Sequence, residues 1–325
     1  MKARAARIHE QGSPDRIRIE TVDVPEPGPG EVLVRQTAIG LNFQDVYHRS
    51  GLYPLPMPSG LGTEAAGVVE QVGSGVASLK RGDRVCYAGG APGACATHRV
   101  FAANRLVKTP DGISDEQAAA VMLKGMTVEY LLRRCHRVAS GELVLFHAAA
   151  GGVGQLAGQW GRHLGARMIG IAGGPDKVRL ALENGYEACV DRHEEDVAAR
   201  LASLSGGRGF PVVYDSVGKA SFELSLGALA PRGLFVSFGT TTGAPPPVEA
   251  ATLQKAGSLY FTRPTLVTYT ASDEELQASA AAVFDLMARG VLRVTINQRY
   301  PIDEIVQAHR DLEGARTTGS TVIVP

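Results

Sequence analysis

Apolar and polar residues alternate in short runs over about the first 110 positions, and glycine or proline separates these runs. Examples are RIRIETVDV at 16–24, GEVLVRQTAIGLN at 30–42 and EAAGVVEQVGSGV at 64–76. Alternation with a period of two is typical of antiparallel strands that have one buried face. The first part of the chain is therefore predicted to form a small, barrel-like β domain.

The pattern changes near Ser114, where helical segments and buried runs begin to alternate. Ser114 and Gln117 are spaced as a capping box at a helix start, and Ser272 and Glu275 repeat this spacing before a helix that Gly290 would close. Between these helices come apolar runs such as GELVLFHAAA, ARMIGIAG, PVVYDSVG and GLFVSFGT. Such alternation predicts βαβ units, and hence a parallel sheet with helices on both faces. The tail ends in a further strand, a candidate for returning to the first domain.

Length and charge narrow the possible functions. At 325 residues the chain exceeds the usual size of one domain, which predicts two domains. Lys and Arg together number 33, as do Asp and Glu, so the formal net charge is zero. This balance argues against a nucleic-acid-binding surface and a polybasic membrane surface. Small neutral partners, or anions held locally, fit the composition better.

The N-terminal segment and the cysteines indicate the cellular compartment of the protein. MKARAARIHEQG is not followed by an apolar stretch, and no run approaches the roughly 20 apolar residues that cross a membrane. Cys86, Cys95, Cys135 and Cys189 have no C-x-x-C spacing, which argues against a disulfide framework and a structural zinc site. We expect reduced, partly buried thiols in a cytoplasmic protein without a membrane partner.

The segment LVLFHAAAGGVGQLAGQWGRHLG, at 143–165, predicts a strand, a glycine turn and a helix start. Against the fingerprint G-x-G-x-x-G, Gly151 and Gly154 fit the second and third positions, and Ala149 replaces the first glycine. The second glycine lets the backbone approach a pyrophosphate, and the third allows close packing of helix on strand. With a buried strand before the turn and a helix after it, we predict that the helix N-terminus binds a dinucleotide.

The end of the next strand indicates which dinucleotide is bound. An NAD site has an acidic residue there, about 20 residues beyond the turn. Here the strand ends in GIAGGPDK, where Gly173 and Gly174 carry no carboxylate, while Lys177 and Arg192 can bring positive charge to a 2′-phosphate. Asp176 competes with this interpretation, although its place after a proline favours a helix-cap role. NADPH is predicted over NADH.

Several segments together resemble the zinc-free quinone oxidoreductase branch of the medium-chain dehydrogenase/reductase superfamily, the zeta-crystallin-like enzymes. They include AIGLNFQDVYHRSGLYP, PSGLGTEAAGVVEQVGSGV, LKGMTVEYLL, LFHAAAGGVGQLAGQW and GSLYFTRP, and the resemblance covers essentially the whole chain. It implies an α/β protein with a GroES-like β-rich catalytic domain, 1–125 and 266–325, and a Rossmann dinucleotide-binding domain with a parallel sheet, 126–265. It also implies a homodimer that forms through an edge strand such as GSLYFTRP.

The resemblance makes zinc binding testable by residue type. Zinc-dependent relatives have a cysteine and a histidine where this chain has Asn42 and Thr63, and neither replacement supplies a thiolate or an imidazole. No metal is therefore expected. His147, at a strand end, is expected to be a packed residue, and His48, His98 and His309 are expected at the surface or behind the residues that contact ligands.

The resemblance also implies the site residues. Asn42 and Tyr47 would lie near the nicotinamide and the substrate, with Tyr53 on the pocket wall and Tyr47 as the candidate proton donor. Thr127 and Tyr130 would contact the cofactor, Gly152 and Val153 would face the pyrophosphate, and the adenosine phosphate would meet Gly173, Gly174 and Lys177, with Arg192 added on charge alone. The remaining contacts implied for the nicotinamide side are Phe238, Gly239, Thr241, Pro264, Thr265, Leu266 and Arg316.

Without a metal there is no strong Lewis acid, so the expected substrate is one that accepts a hydride readily, such as a quinone. The expected activity is NADPH-dependent reduction of a quinone. Two alternatives stay open: an enoyl or 2-alkenal reductase, and an NADPH-binding protein without significant catalysis.

Overall fold

The computed structural model describes residues 1–193 and 196–325. The chain divides into two compact units. The first comprises Met1–Met126, Tyr269–Arg289 and Val294–Pro325, and the second comprises Thr127–Thr268 and Gly290–Arg293. No helix in the described ranges is long and apolar enough to span a membrane. The domain limits expected from the sequence stay a prediction.

The first unit is built on two sheets. Its strands are β1 (Lys2–Ile8), β2 (Arg18–Asp23), β3 (Glu31–Leu41), β4 (Ser59–Gly60), β5 (Glu64–Val72), β6 (Arg84–Ala88), β7 (His98–Ala102), β8 (Val107–Lys108), β15 (Ile296–Pro301) and β16 (Ser320–Val324). Three strands form one sheet in the order β2-β1-β4, and seven form the other, β15-β16-β3-β5-β6-β8, with β7 paired to β3. Strand β16 lies antiparallel to β3, which confirms that the tail returns to the N-terminal β region.

The helices of the first unit are α1 (Phe43–Ser50), α2 (Asp115–Tyr130, in this unit as far as Met126), α9 (Asp273–Ala288) and α10 (Ile305–Glu313). Two of them, α2 and α9, begin where the capping boxes predict. Before α2, the Gln117 N–H donates to the Ser114 hydroxyl and the Ser114 N–H donates to the Gln117 side chain. Before α9, the Glu275 N–H donates to the Ser272 hydroxyl and the Ser272 N–H donates to the Glu275 carboxylate. Gly290 follows α9 in the left-handed conformation, with φ of 70°. Both capping boxes and the glycine stop are confirmed.

The second unit is a six-stranded sheet in which every pairing is parallel. Its strands are β9 (Leu143–His147), β10 (Arg167–Ala172), β11 (Ala188–Asp191), β12 (Phe210–Asp215), β13 (Leu229–Ser237) and β14 (Tyr260–Thr262). Their spatial order is β11-β10-β9-β12-β13-β14. Numbered from β9, this is the order 3-2-1-4-5-6 of the dinucleotide-binding fold, whose ligands bind where the order reverses. The predicted α/β architecture, a β-rich domain plus a Rossmann domain with a parallel sheet, is confirmed.

Helices lie between successive strands of this sheet, and one more helix follows the last strand. They are α3 (Gly152–His163), α4 (Pro175–Glu183), α5 (Val197–Leu204), α6 (Phe222–Ala228), α7 (Ala250–Lys255) and α8 (Leu266–Tyr269). Helices α3 and α4 contact each other, as do α5 and α6. Along the sheet, the connections through α3 and α4 run from β9 to β11, and those through α5 and α6 run in the opposite direction, from β11 to β13. Because crossovers between parallel strands are right-handed, connections that run in opposite directions lie on opposite faces of the sheet.

A buried arginine fixes helix α1 to helix α10. The Arg49 side chain is 1% exposed, its Nη2 lies 2.6 Å from Glu313 Oε1, and its Nη1 donates to the Gly12 carbonyl. Its Nε donates to His309 Nδ1 at 3.4 Å, which leaves the His309 proton on Nε2. His309 is fully buried and His48 nearly so, which excludes the surface alternative for both and leaves the other, a position behind the ligand-contacting residues, as a prediction. Sequence reasoning missed this because the partners are distant along the chain.

We expect His309 to make the protein sensitive to acid. Burial, and then the charge of Arg49, lowers the pKa of His309 from 6.5 to about 3. The unfolded chain therefore takes up a proton that the folded chain refuses, and stability falls as the pH drops from 6.5 towards 3. Near pH 4.5 this costs about 3 kcal/mol, at about 1.4 kcal/mol per pH unit.

The His309→Gln variant tests this expectation, because glutamine keeps an acceptor for Arg49 but does not titrate. Urea unfolding of both proteins at pH 7 and near pH 4.5 gives the loss of unfolding free energy on acidification. The variant should lose about 3 kcal/mol less than the parent. Equal losses would show that His309 titrates normally.

Candidate functional site

The glycine turn after β9 contains a strained alanine. Ala148 has φ of 53°, in the left-handed region, whereas Ala149 is fully buried and donates its N–H to the Ile171 carbonyl. Helix α3 then begins at Gly152, with Gly151 as its N-cap residue. The residue that turns the chain is therefore Ala148, one position before the place where the fingerprint expects its first glycine.

Two glycines in this turn and on the next strand allow close packing. A Cβ on Gly154 would lie 2.3 Å from the Ala148 oxygen, so helix α3 sits directly on the turn. A Cβ on Gly170, in β10, would lie 2.7 Å from the Cβ of Ala149. The methyl group of Ala149 thus occupies space that Gly170 leaves empty on the neighbouring strand.

Opposite effects are expected from glycine at the two alanines. Ala148→Gly should raise the free energy of unfolding by about 1 kcal/mol, because the left-handed conformation costs alanine about that much. Ala149→Gly should lower it by about 2 kcal/mol, because a buried methyl is lost and backbone freedom is gained. Urea unfolding measures both changes, and equal losses in the two variants would refute this assignment.

The first turn of α3 presents bare backbone. Gly152 and Val153 are partly exposed at its start, it contains no acidic residue, and no side chain among the described residues caps it. N–H groups at a helix start carry partial positive charge, and Glu or Asp nearby would repel an anion. The turn therefore has the geometry of an anion-binding helix N-terminus.

The ends of β10 and β11 place cationic side chains together. A Cβ on Gly173 would lie 2.7 Å from Arg192 Nε, so the guanidinium lies over this glycine. Burial, and then the charge of Arg192, lowers the pKa of Lys177. Gly174 turns the chain with φ of 90° and is the N-cap residue of α4. We call Gly173, Gly174, Lys177 and Arg192 the cationic cradle.

Two acidic residues border the cationic cradle. The cap role expected for Asp176 is wrong: it lies exposed inside the first turn of α4, with its Oδ1 3.1 Å from Arg179 Nη2. Asp191, which sequence reasoning missed, accepts the N–H groups of Gly174 at 2.8 Å and His193 at 3.0 Å through one oxygen. These two bonds lower the pKa of Asp191. The Asp191 carboxylate therefore stabilises the backbone turn at Gly174.

A buried carboxylate at the end of β12 organises the next loops. Asp215 Oδ1 accepts the N–H groups of Val217 and Gly218, and its Oδ2 accepts the hydroxyls of Ser221 at 2.7 Å and Ser225 at 2.5 Å. Burial alone would raise the pKa of Asp215, but the hydrogen bonds from Ser221, Ser225 and Gly218 lower it overall. This network was not predicted from the sequence.

His147 completes the Asp215 network. Its Nε2 lies 2.9 Å from Ser225 Oγ, whose proton goes to Asp215, so His147 donates. Burial lowers the pKa of His147, which keeps the ring neutral despite the Asp215 charge. The expectation of a packed histidine is confirmed.

The remaining predicted residues of the second unit follow neighbouring strands. Phe238 and Gly239 come directly after β13, and the Phe238 ring lies 5.5 Å from Phe146. Thr241 donates its N–H to the Ser216 carbonyl at 3.2 Å. After β14 come Pro264, which is buried, Thr265, which is exposed, and Leu266, which begins α8. Because carboxyl ends of parallel strands share one edge, these residues, the cationic cradle and the glycine turn lie along the same edge.

Thr127 and Tyr130 lie in the last turn of α2, and both are buried. The helix continues as a π-helical turn, Leu131–Cys135, where Tyr214 donates its hydroxyl to the Leu131 carbonyl at 2.9 Å. Single π turns are frequent at functional sites.

In the first unit, the predicted residues Asn42, Tyr47 and Tyr53 lie at or beside α1. Asn42 is the N-cap residue, and the rings of Tyr47 and Tyr53 meet edge to face at 5.1 Å. Arg316 lies apart on the C-terminal segment, with its Nε bonded to Asp311 Oδ1 at 2.7 Å.

A buried polar cluster surrounds Asn42. Its Nδ2 donates to Glu64 Oε2 at 2.8 Å, and its backbone N–H donates to Asp45 Oδ2 at 2.8 Å. Lys124 Nζ lies 3.4 Å from Glu64 Oε2. We call Asn42, Asp45, Glu64 and Lys124 the Asn42 cluster. Only Asn42 was predicted, because the other three look like ordinary surface charges in the sequence.

The residues that replace zinc ligands are part of this region. Asn42 and Thr63 are both buried, and the Thr63 hydroxyl has no hydrogen-bond partner among the described residues. Among residues 1–193 and 196–325, no three His, Cys, Asp or Glu side chains are placed to share a metal ion. None of the four cysteines forms a disulfide in the described ranges; Cys86 and Cys95 are buried and Cys135 and Cys189 are half-buried.

Comparison with known proteins identifies the family. Residues 28–140 match the alcohol dehydrogenase GroES-like domain, and residues 152–288 match the family described as zinc-binding dehydrogenase. The chain is 51% identical to a quinone oxidoreductase of Pseudomonas aeruginosa, covering 99% of this chain and 100% of the relative. It is 40% identical to a 2-haloacrylate reductase of a Burkholderia species, covering 99% and 98%.

A solved structure agrees over the same extent. The crystal structure of Escherichia coli quinone oxidoreductase complexed with NADPH matches with a TM-score of 0.97 and 45% identity, covering 99% of this chain and 100% of that one. The high identity over the full length agrees with both the resemblance in the sequence and the observed fold. The chain therefore belongs to the quinone oxidoreductase branch of the medium-chain dehydrogenase/reductase superfamily.

Proposed function

We propose that the protein is an NADPH-dependent quinone reductase that works without zinc. The observation that carries the cofactor assignment is the cationic cradle, which follows the second and third strands of the Rossmann sheet on the same edge as a bare glycine turn. The quinone assignment rests on the full-length relatives, one of which was solved with NADPH.

The residues present fit NADPH. The first turn of α3 would hold the pyrophosphate through the N–H groups of Gly152 and Val153. Lys177 and Arg192 are close enough for their charges to repel, and a 2′-phosphate between them would relieve this repulsion. The bare Gly173 and Gly174 would let the adenosine end approach the backbone.

When bound, NADPH supplies two electrons and one proton to a quinone, and a second proton completes the hydroquinone. The role of the protein itself is to bind and orient NADPH and the quinone and to exclude water from them. In the proposal, Thr127, Tyr130 and the residues after β13 and β14 hold the nicotinamide side, and Arg316 is a further contact of the cofactor. Asn42, Tyr47 and Tyr53 hold the substrate, and the Tyr47 hydroxyl is the candidate donor of the second proton.

Zinc plays no part in this proposal, because an amide at position 42 and a hydroxyl at position 63 are poor ligands for it. Metal analysis of the purified protein tests this point directly. Stoichiometric zinc would overturn it.

A second candidate activity is reduction of activated C=C bonds, which the 2-haloacrylate reductase among the relatives favours. NADPH oxidation with 1,4-benzoquinone, 2-chloroacrylate and an α,β-unsaturated aldehyde, measured in parallel, separates the two. We expect the largest kcat/KM with the quinone. Tight NADPH binding without turnover of any acceptor would favour the third possibility, a non-catalytic NADPH-binding protein.

We also propose a cytoplasmic homodimer that has no nucleic-acid partner. The reduced thiols suit the cytoplasm, and zero net charge gives no general attraction for nucleic acid. Strand β14 ends the six-stranded sheet and exposes 63% of Tyr260, as a strand that pairs with a second copy would do. Sedimentation that finds only monomer would refute the dimer.

A further inference from the structure

The Asn42 cluster contains two fully buried carboxyl groups and one lysine. Asp45 and Glu64 are both 0% exposed, and Lys124 is 5% exposed. Two buried carboxylates beside a single ammonium would leave one negative charge uncompensated. Burying such a charge is far more costly than burying a neutral carboxylic acid.

The hydrogen bonds indicate which carboxyl is charged. Glu64 accepts from Asn42 Nδ2 at 2.8 Å, from the Leu123 N–H at 2.6 Å, and lies 3.4 Å from the Lys124 ammonium. Asp45 accepts only the Asn42 N–H at 2.8 Å through Oδ2, and its Oδ1 has no partner among the described residues. The donors thus collect on Glu64, and the proton belongs on Asp45.

The charged and titratable groups that face Asp45 come from three directions. Glu64 faces it from β5, Lys124 from α2, and the Cys95 thiol from the loop between β6 and β7. Burial raises the pKa of Asp45 to about 7; the Asn42 N–H opposes this shift, the Glu64 charge adds to it, and Lys124 opposes it. The Cys95 thiol stays neutral, because burial, and then Asp45, raises its pKa well above the usual range.

We propose that Asp45 is a positioning residue, a neutral carboxylic acid in the active protein, whose ionisation above neutral pH disturbs the orientation of Asn42. Asn42 connects the two carboxyls, because its backbone N–H binds Asp45 while its side-chain amide donates to Glu64 and to the Gly40 carbonyl. Both amide protons are therefore directed inward, and the amide oxygen faces the Asp45 N–H in the capping box at the start of α1. A second negative charge would compete with Glu64 for these donors and for Lys124.

The protonation state is tested without any assay of activity. In protein labelled with ¹³C at aspartate carboxyls, NMR titration should show one aspartate that changes near pH 7 and is missing from Asp45→Asn. An exposed aspartate on α9, changed in Asp285→Asn, provides the matched control and should leave that signal in place. A parent protein in which every aspartate titrates below about pH 5 would overturn the proposal.

The effect on Asn42 rests on the proposed function and is read from a pH profile. The parent kcat/KM for quinone, with saturating NADPH, should fall about tenfold by one pH unit above the midpoint, and Asp45→Asn should lose this decline, since its amide stays neutral. If the decline persists in Asp45→Asn, the positioning role is wrong. If no quinone is reduced at all, the proposed function fails, while the NMR titration still decides the state of Asp45.

Discussion

Replacing Lys177 by glutamate is expected to lower kcat/KM for NADPH about 1000-fold and to change kcat/KM for NADH less than about threefold. Losing a charge pair with a phosphate and adding repulsion costs about 4 kcal/mol, and each 1.4 kcal/mol is a factor of ten. NADH lacks the 2′-phosphate, so it does not meet this change. Steady-state kinetics with both cofactors and one quinone measure the effect.

The matched control is Arg179→Glu on the same helix. Arg179 is exposed and paired with Asp176 and Glu183, outside the cationic cradle. It carries the same change of charge two residues away, so it should alter both kcat/KM values only slightly. If the two variants behave alike, general electrostatics and not a 2′-phosphate contact explains any preference.

Replacing Asp215 by alanine is expected to lower the free energy of unfolding by about 4 kcal/mol, because several buried donors lose their acceptor at once. Asparagine should cost about half as much, since its oxygen can still accept the N–H groups of Val217 and Gly218. The loop held by Asp215 also binds Thr241 through the Ser216 carbonyl, so NADPH affinity should fall in both variants. Urea unfolding and fluorescence titration with NADPH measure the two quantities.

Asp176→Ala is a suitable comparison, because this carboxylate is exposed and bonded only to Arg179 among the described residues. It should change stability by less than about 0.5 kcal/mol. A loss below about 1 kcal/mol in Asp215→Ala would mean that the loop holds its conformation without the buried carboxylate.

The local patterns in the sequence were sufficient to predict the β region, two helix starts and the parallel type of the second sheet. Alternation with period two gave the β region, and Ser114, Gln117, Ser272 and Glu275 marked helix starts that the structure confirms. Such signals are local, since each depends on residues a few positions apart. The order of the parallel strands was not predicted from the sequence and is known from the structure, although right-handed βαβ units allow few arrangements.

The glycine turn shows where local reasoning was incomplete. From the sequence alone, Ala149 is only the residue that replaces the first glycine of the fingerprint. In the structure, Ala149 is a packing residue that fills the space over Gly170, and the strained residue is Ala148. Gly170 is on another strand, so the compensation could not be read from the turn itself.

The buried polar clusters could not be predicted from the sequence. Asp45, Glu64 and Lys124 come from three separate elements, as do His147, Asp215 and Ser225. In the sequence each resembles an ordinary polar residue, and only tertiary packing removes these side chains from water. The same reason explains why the sequence left open whether His48 and His309 lie at the surface or behind the ligand-contacting residues.

The most direct test of the central claim is kcat/KM for NADPH and for NADH with 1,4-benzoquinone as the acceptor. The cationic cradle predicts a preference for NADPH of at least about 100-fold, equivalent to roughly 3 kcal/mol from the 2′-phosphate contact. Comparable kcat/KM values for the two cofactors, or no reduction of the quinone by either, would contradict the account.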